Sequence, residues 1–273
     1  MSTAEQAGRQ AQTMARRAAD HPALDRLARV GLACRGVLYA LIGVLAVQIA
    51  LGGGSKEQAD KGGAIAAVAD LPFGEVILWI MVVGFAALAL WQATEALFGG
   101  LKTADRAEAA VRTGVYVLVF VTLLTMLLSG KATSDDEKSQ DVTAKLLELP
   151  GGQLIVGVVG LAVIGVGVYW IYSGIKKKFL EELNLGQMSA RARSVMERLG
   201  MAGYIARGAI AGLAGIFVVQ AAITYDPDKA GGMDHALRAF ADTPVGPWLL
   251  VLIALGLVLF AGYCFGESRW RRT

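Results

Sequence analysis

Apolar and polar residues along this chain sort into long blocks rather than short alternations. Six stretches carry almost no charge, at 32–51, 76–98, 111–128, 154–175, 201–224 and 247–265. Each holds about 18–24 residues, and an α-helix of that length crosses the roughly 30 Å of hydrocarbon in a bilayer. A membrane β-barrel would instead show two-residue alternation in shorter segments, and no part of the chain displays it. The pattern predicts an all-α, polytopic membrane protein with six transmembrane helices. Composition moves the same way: 55% of the 273 residues are hydrophobic and 18% charged, too apolar a balance for a soluble domain.

The blocks are also related to one another. The first opens with Arg26-Leu27-Ala28-Arg29-Val30-Gly31-Leu32-Ala33-Cys34-Arg35-Gly36, and related residues return from Arg198 to Gly208. At the same offset Gly43 falls on Gly215, Gln48 on Gln220, Gly84 on Gly256 and Glu95 on Glu267. About 20 of some 70 positions are identical without a gap, which marks an internal repeat. A more divergent copy lies between, aligning Arg112 with Arg35, Tyr116 with Tyr39 and Pro150 with Pro72. That copy has Thr113 where the others have glycine and Ser173 where the others have glutamate. The chain therefore divides into an arm at 1–25, repeats at 26–100, 107–179 and 198–273, and a linker at 180–197. Each repeat supplies two helices, and the three repeats are expected to run parallel.

Charge adds orientation. Net charge is only +3. The arm, the connections after helices two and four and the C-terminal tail nevertheless hold about 19 of the 26 basic residues, and the three hairpin tips are acidic. The positive-inside bias places both termini in the cytoplasm and the tips outside. The first apolar block is too long, and too far from the start, for a cleaved secretory signal. The Arg-rich arm either rests on an anionic leaflet or forms a solvated tail.

Small residues repeat within the helices. Gly36 and Gly43 in the first helix match Gly208 and Gly215 in the fifth, with Gly212 between them, and such spacing lets helix backbones approach closely in lipid. Each tip carries a short amphipathic segment (64–69, 142–147, 236–241) followed by an acid, one residue and proline: Asp70 before Pro72, Glu148 before Pro150, Asp242 before Pro244. This reads as a helix start, with the acid near the positive end of the helix dipole. The alternative is an external ring of three converging carboxylates that gathers cations. In the linker, residues 184–198 read as an amphipathic surface helix.

Charged residues within the spans are the strongest pointers. Arg35 and Glu95 sit at similar depth in one hairpin, and Arg207 and Glu267 repeat the relation, so an ion pair inside each outer repeat is expected. In the middle repeat Arg112 can reach Glu108 one turn back. A proton relay is the minor reading, because no carboxylate falls near mid-bilayer. Gln48 and Gln220 are expected to hydrogen-bond between helices.

Enzyme chemistry finds little support. His21 and His235 fall on opposite sides of the membrane, and Cys34 and Cys264 lack neighbouring ligands, so no metal site or nucleophile stands out. Gly165-Val166-Gly167 lies in a span with no strand before it, which excludes a dinucleotide loop. The basic segments lack interleaved aromatic platforms for nucleic acid. No cofactor is implied.

The Arg-Gly helix opening at Arg35-Gly36 and Arg207-Gly208, Tyr39 four residues before Gly43, and the outer proline turns resemble the bacterial membrane family called domain of unknown function 1206. The resemblance runs from about Leu24 to Trp270 and implies six membrane helices, no assigned activity and no catalytic residues. Two function classes follow. One is a non-enzymatic scaffold of the bacterial plasma membrane, embedded in the lipid bilayer and binding a second copy of itself or another membrane protein. The other is a permeation protein for a small solute or ion, built from three hairpins. A dry packed centre would favour the first and a central cavity the second.

Overall fold

The computed structural model describes residues 22–51, 58–98, 103–130, 134–241 and 246–271. Among these residues no strand forms. The helices are α1 (Pro22–Ala50), α2 (Lys61–Ala69), α3 (Gly74–Phe98), α4 (Thr103–Ser129), α5 (Asp135–Leu147), α6 (Gly152–Ile175), α7 (Ala190–Thr224), α8 (Met233–Ala241) and α9 (Gly246–Trp270). Six of them, α1, α3, α4, α6, α7 and α9, are long and apolar enough to cross a membrane. They match the six nearly uncharged blocks of the sequence. The arm at 1–21 with His21, and Asp242 with Pro244, lie outside the described residues.

The short helices α2, α5 and α8 form the tips, and their starts follow from local chemistry. The Asp60 carboxylate accepts from the Gly63 N–H at 2.8 Å to open α2. Ser134 opens α5 with a capping box, its hydroxyl accepting from the Glu137 N–H while the Glu137 carboxylate accepts from the Ser134 N–H. Each such cap satisfies donors that the first helical turn leaves free.

The acid and proline signature has a different role from the one expected. Asp70 and Glu148 are exposed residues that close α2 and α5, and do not open the next span. Pro72 and Pro150 occupy the turn between, and α3 and α6 start at Gly74 and Gly152. The glycine that ends the signature is steric: a Cβ there would overlap the Val68 carbonyl oxygen at Gly74 and the Leu146 carbonyl oxygen at Gly152. Because Asp70 and Glu148 face outward from separate turns, they do not converge.

The linker also departs from expectation. Residues Lys178–Glu182 and Leu185–Gln187 form two short 3₁₀ turns. From Ala190, α7 then runs unbroken to Thr224, opened by Ser189, whose hydroxyl accepts from the Ala192 N–H. No proline interrupts this stretch, so the expected surface helix is the first part of the fifth span.

The spanning helices pack in the order α4, α3, α1, α9, α7, α6, and α4 and α6, the two ends of this order, form no packed seam with each other. Glycines set the seams. Gly84 on α3 lies against Gly31 on α1, where an added Cβ would sit 2.9 Å from the Gly31 Cα. The matched pair Gly203 and Gly256 brings α7 against α9 at Phe260 and Ala206. Between repeats, Gly36 and Gly43 admit Ala261 and Ala254 of α9, while Gly208 and Gly215 admit α6 at Ile171 and Ile164. Gly212 differs: a Cβ there would meet nothing, although its own backbone accommodates Gly167. Close backbone contact of this kind is what holds helices together where lipid removes the hydrophobic drive. Large apolar side chains such as Trp79, Ile80, Leu161, Val168, Ile216 and Leu252 face outward, as a lipid-solvated surface requires.

Candidate functional site

The repeated arginines meet in one place. Arg35 on α1, Arg112 on α4 and Arg207 on α7 all line a single cavity of 420 Å³ inside the helices, together with Lys61 from the first tip. Its walls are otherwise aliphatic and aromatic, with Tyr39, Phe85, Tyr116, Tyr169, Trp170 and Tyr204 contributing rings. Among the described residues no Asp or Glu lines it.

Two carboxylates behind the wall neutralise part of that charge. Arg35 pairs with Glu267 on α9, which also holds Arg271. Arg271 lies 3.3 Å from Glu182, and Glu182 pairs with Arg112 at 2.6 Å. Burial alone would raise the Glu182 carboxyl, but Arg112 and Arg271 outweigh it and bring it down to about 2. Arg35 further donates to the Tyr116 hydroxyl at 2.6 Å and to the Cys264 sulfur at 3.3 Å. The ion pair of Arg35 thus joins the first repeat to the third. No ion pair links Arg35 to Glu95 or Arg207 to Glu267 among the described residues, contrary to expectation. The reason is the packing order: α1 shares its glycine seam with α9, so the acid nearest to Arg35 comes from the neighbouring repeat. The Glu108 side chain lies outside the described residues.

Arg207 has other company. Its guanidinium stands 4.2 Å from the Trp170 ring centre, 4.5 Å from Phe260, 5.3 Å from Tyr39 and 5.9 Å from Tyr204. Among the described residues no carboxylate pairs with it. Ring faces offer an arginine charge some stabilisation, about 0.5–2 kcal/mol each, and leave its N–H donors unused. Ser173, where the other repeats carry glutamate, accounts for the missing acid.

The opposite end is closed by the tips. The Asp60 carboxylate accepts from the Asp135 N–H at 2.5 Å, Asp136 accepts from the Gly232 N–H at 2.5 Å and the His235 N–H at 3.1 Å, and Asp234 accepts from the Ala59 N–H at 2.8 Å. Each tip therefore bonds to the next in a closed circuit. Lys61 pairs with Asp135 at 2.6 Å, and Lys138 donates to Thr122 on α4. Burial, and next the nearby Asp135, raise the Asp60 carboxyl to about 6. For Lys61 burial works downward, yet Asp135 outweighs it and the ammonium is held above its usual value.

Sequence reasoning missed this circuit because its acids do not align between repeats. It also missed Glu182, in the linker, and Gln92, a buried residue of α3 whose carbonyl oxygen has no hydrogen-bond partner among the described residues. Gln92 occupies the position that matches Cys264, the residue beside Arg35, and that alignment was the available signal. Gln48 and Gln220 are exposed and do not bond between helices among the described residues.

A six-span helical bundle around a cationic cavity, made from three copies of one helical pair, defines a class of internally repeated membrane protein. The chain belongs to the family described as Domain of Unknown Function (DUF1206), which matches it three times, at residues 30–99, 107–177 and 202–271. It is 27% identical over 249 residues to an uncharacterized protein of Bacillus subtilis (strain 168), YxxB, covering 89% of each chain. No solved structure matches it.

Proposed function

We propose that this is a non-enzymatic protein of a bacterial cytoplasmic membrane, with parallel repeats and cytoplasmic termini, whose central cavity binds an amphiphilic anion. One observation carries the reading: among the described residues four cations and no carboxylate line the cavity, and one of the cations, Arg207, is surrounded by ring faces without a carboxylate partner. An anionic oxygen pair on a ligand supplies what Arg207 lacks, since the guanidinium fork matches carboxylate and phosphate in bidentate fashion. The apolar remainder of the wall suits a hydrocarbon body, and the volume falls within the range of small-molecule sites, about 300–1,000 Å³. Intramembrane charges more often serve function than stability. By the criterion stated from the sequence, a central cavity supports the solute-handling class over a scaffold. The basic residues at the arginine end support the cytoplasmic placement of the termini through the positive-inside bias.

The test compares three ligands with one tail. Dodecyl phosphate, dodecyl maltoside and dodecyltrimethylammonium are titrated below their micellar concentrations onto the full chain in phosphatidylcholine nanodiscs, with tryptophan fluorescence as the readout. Saturable binding of the phosphate, at least tenfold tighter than the other two, is expected. Arg207→Gln should weaken it by about tenfold, which corresponds to about 1.4 kcal/mol. Equal affinity for the three heads refutes the reading.

A further inference from the structure

We infer that the ligand of this cavity is a lipid that enters sideways from the bilayer, through the slot between α4 and α6. The inference rests on the anion-site reading above and adds the source of the ligand and its route. Every other pair of neighbouring spans is packed, whereas these two ends of the ring form no seam. Residues on both sides of the slot, Val111 and Val115 on α4 and Ala162 and Val166 on α6, also line the cavity, so slot and cavity are continuous. A Cβ at Gly165, which lines the cavity from α6, would meet nothing within 4 Å.

Among the described residues both ends of the bundle are tied across. Carboxylates bonded to backbone N–H groups tie the three tips together at one end. At the other, Glu182 and Glu267 draw Arg35, Arg112 and Arg271 into one ion cluster. The slot itself is walled by valine and alanine, which water-borne anions gain nothing by crossing and an acyl chain crosses without desolvation cost.

Depth supports the same route. Arg112 lies three residues from Val115 on α4, and Trp170, against which Arg207 stacks, lies four residues from Val166 on α6. A phosphate or carboxylate head at Arg207 therefore sits level with the slot, and its chain can leave through the slot into the surrounding lipid. Snorkelling of this kind keeps charge at the arginines and hydrocarbon in hydrocarbon. The bilayer is the one source that presents such a ligand at this depth.

Trp170 reports on the site. In a chain that keeps Trp170 and replaces Trp79, Trp91, Trp248 and Trp270 by phenylalanine, reconstituted in phosphatidylcholine vesicles, brominated-chain phosphatidylglycerol should quench Trp170 at least threefold more effectively than brominated phosphatidylcholine at equal mole fraction. Gly165→Leu, which fills the slot, should remove that difference. If the four-tryptophan variant does not fold, native mass spectrometry on the unmodified chain replaces it: one phosphatidylglycerol is retained per chain, and Gly165→Leu releases it. Equal quenching or retention of the two lipids, with dodecyl phosphate still bound tightly, overturns the lipid inference and leaves the anion site standing. Loss of dodecyl phosphate selectivity in the parent chain overturns both.

Discussion

Two glycines of α6, Gly165 and Gly167, stand two residues apart and face opposite circumstances. A Cβ on Gly167 would lie 2.6 Å from the Gly212 nitrogen and 2.7 Å from the Gly208 oxygen, inside the seam between α6 and α7, whereas one on Gly165 would meet open space. One helix thus seals the ring on its α7 side and leaves it open on its α4 side. Closeness in lipid comes from small residues meeting small residues. The middle repeat lacks that match between its own two helices, whereas the outer repeats have it at Gly31 with Gly84 and at Gly203 and Gly256.

The contrast is tested most severely at the two glycines themselves. Gly167→Leu must displace backbone of α7, beyond the usual 1–3 kcal/mol of an overpacked core, so a loss of about 4 kcal/mol or failure to fold is expected. Gly165→Leu should stay within about 0.5 kcal/mol of the parent, the range of an unhindered substitution. Thermal unfolding in one detergent compares them, and similar losses would mean that the slot is closed.

Next in size is the ion cluster that joins the ends of the chain. Glu267→Gln leaves Arg35 without its carboxylate and Arg271 with Glu182 alone, and breaking a buried pair in this way costs about 3–5 kcal/mol. Glu95→Gln removes no ion pair seen among the described residues and should cost less than about 1 kcal/mol, as at a solvated site. If Glu95→Gln proves the more damaging, the pairing lies within the repeat after all.

The closed tips give a smaller effect with a defined sign. Because the Asp60 carboxyl is raised to about 6 from an ordinary 3.8, folding favours its protonated form. Its stabilisation is complete below pH 3.8 and fades as pH rises through about 6, following the linkage between proton binding and stability. Between pH 5 and 7 the loss is about 1–2 kcal/mol, at 1.36 kcal/mol per unit of pKa. Amide exchange at Asp135 and Gly63, whose N–H groups donate to Asp60, should quicken over that range. Asp60→Asn should flatten the response. Glu182, held near 2, acts only in more acid solution, where its contribution is lost as pH falls.

Arg207→Gln is expected to cost less than Glu267→Gln, about 1–2 kcal/mol, because ring contacts are lost but among the described residues no carboxylate is left unpaired. A large loss would show that Arg207 holds the bundle together as Arg35 does.

How far the sequence could be read follows from the same residues. The six apolar blocks, the repeat and the arginines that open each odd-numbered span were visible, because lipid demands long uncharged helices and duplication leaves a constant offset. The matched glycines were legible as packing residues, although at Gly212 it is the backbone that meets α6 and a Cβ would point into open space. Pairing was not legible. Arg35 and Glu95 share a hairpin, and nothing in their spacing tells that α9 brings Glu267 closer. Nor could spacing show that Asp60, Asp135, Asp136 and Asp234 close a circuit, since they occupy unmatched positions in tips of different length.

By itself, then, the amino-acid order determined the class of protein, the number and extent of its spans and the threefold reuse of one helical pair, because these depend on local composition and the thickness of a bilayer. Which repeat neutralises which arginine, where a cavity remains and which seam stays open were decided only when the helices packed. Those outcomes depend on which small residues face one another across the bundle, a relation between distant parts of the chain that no local stretch contains.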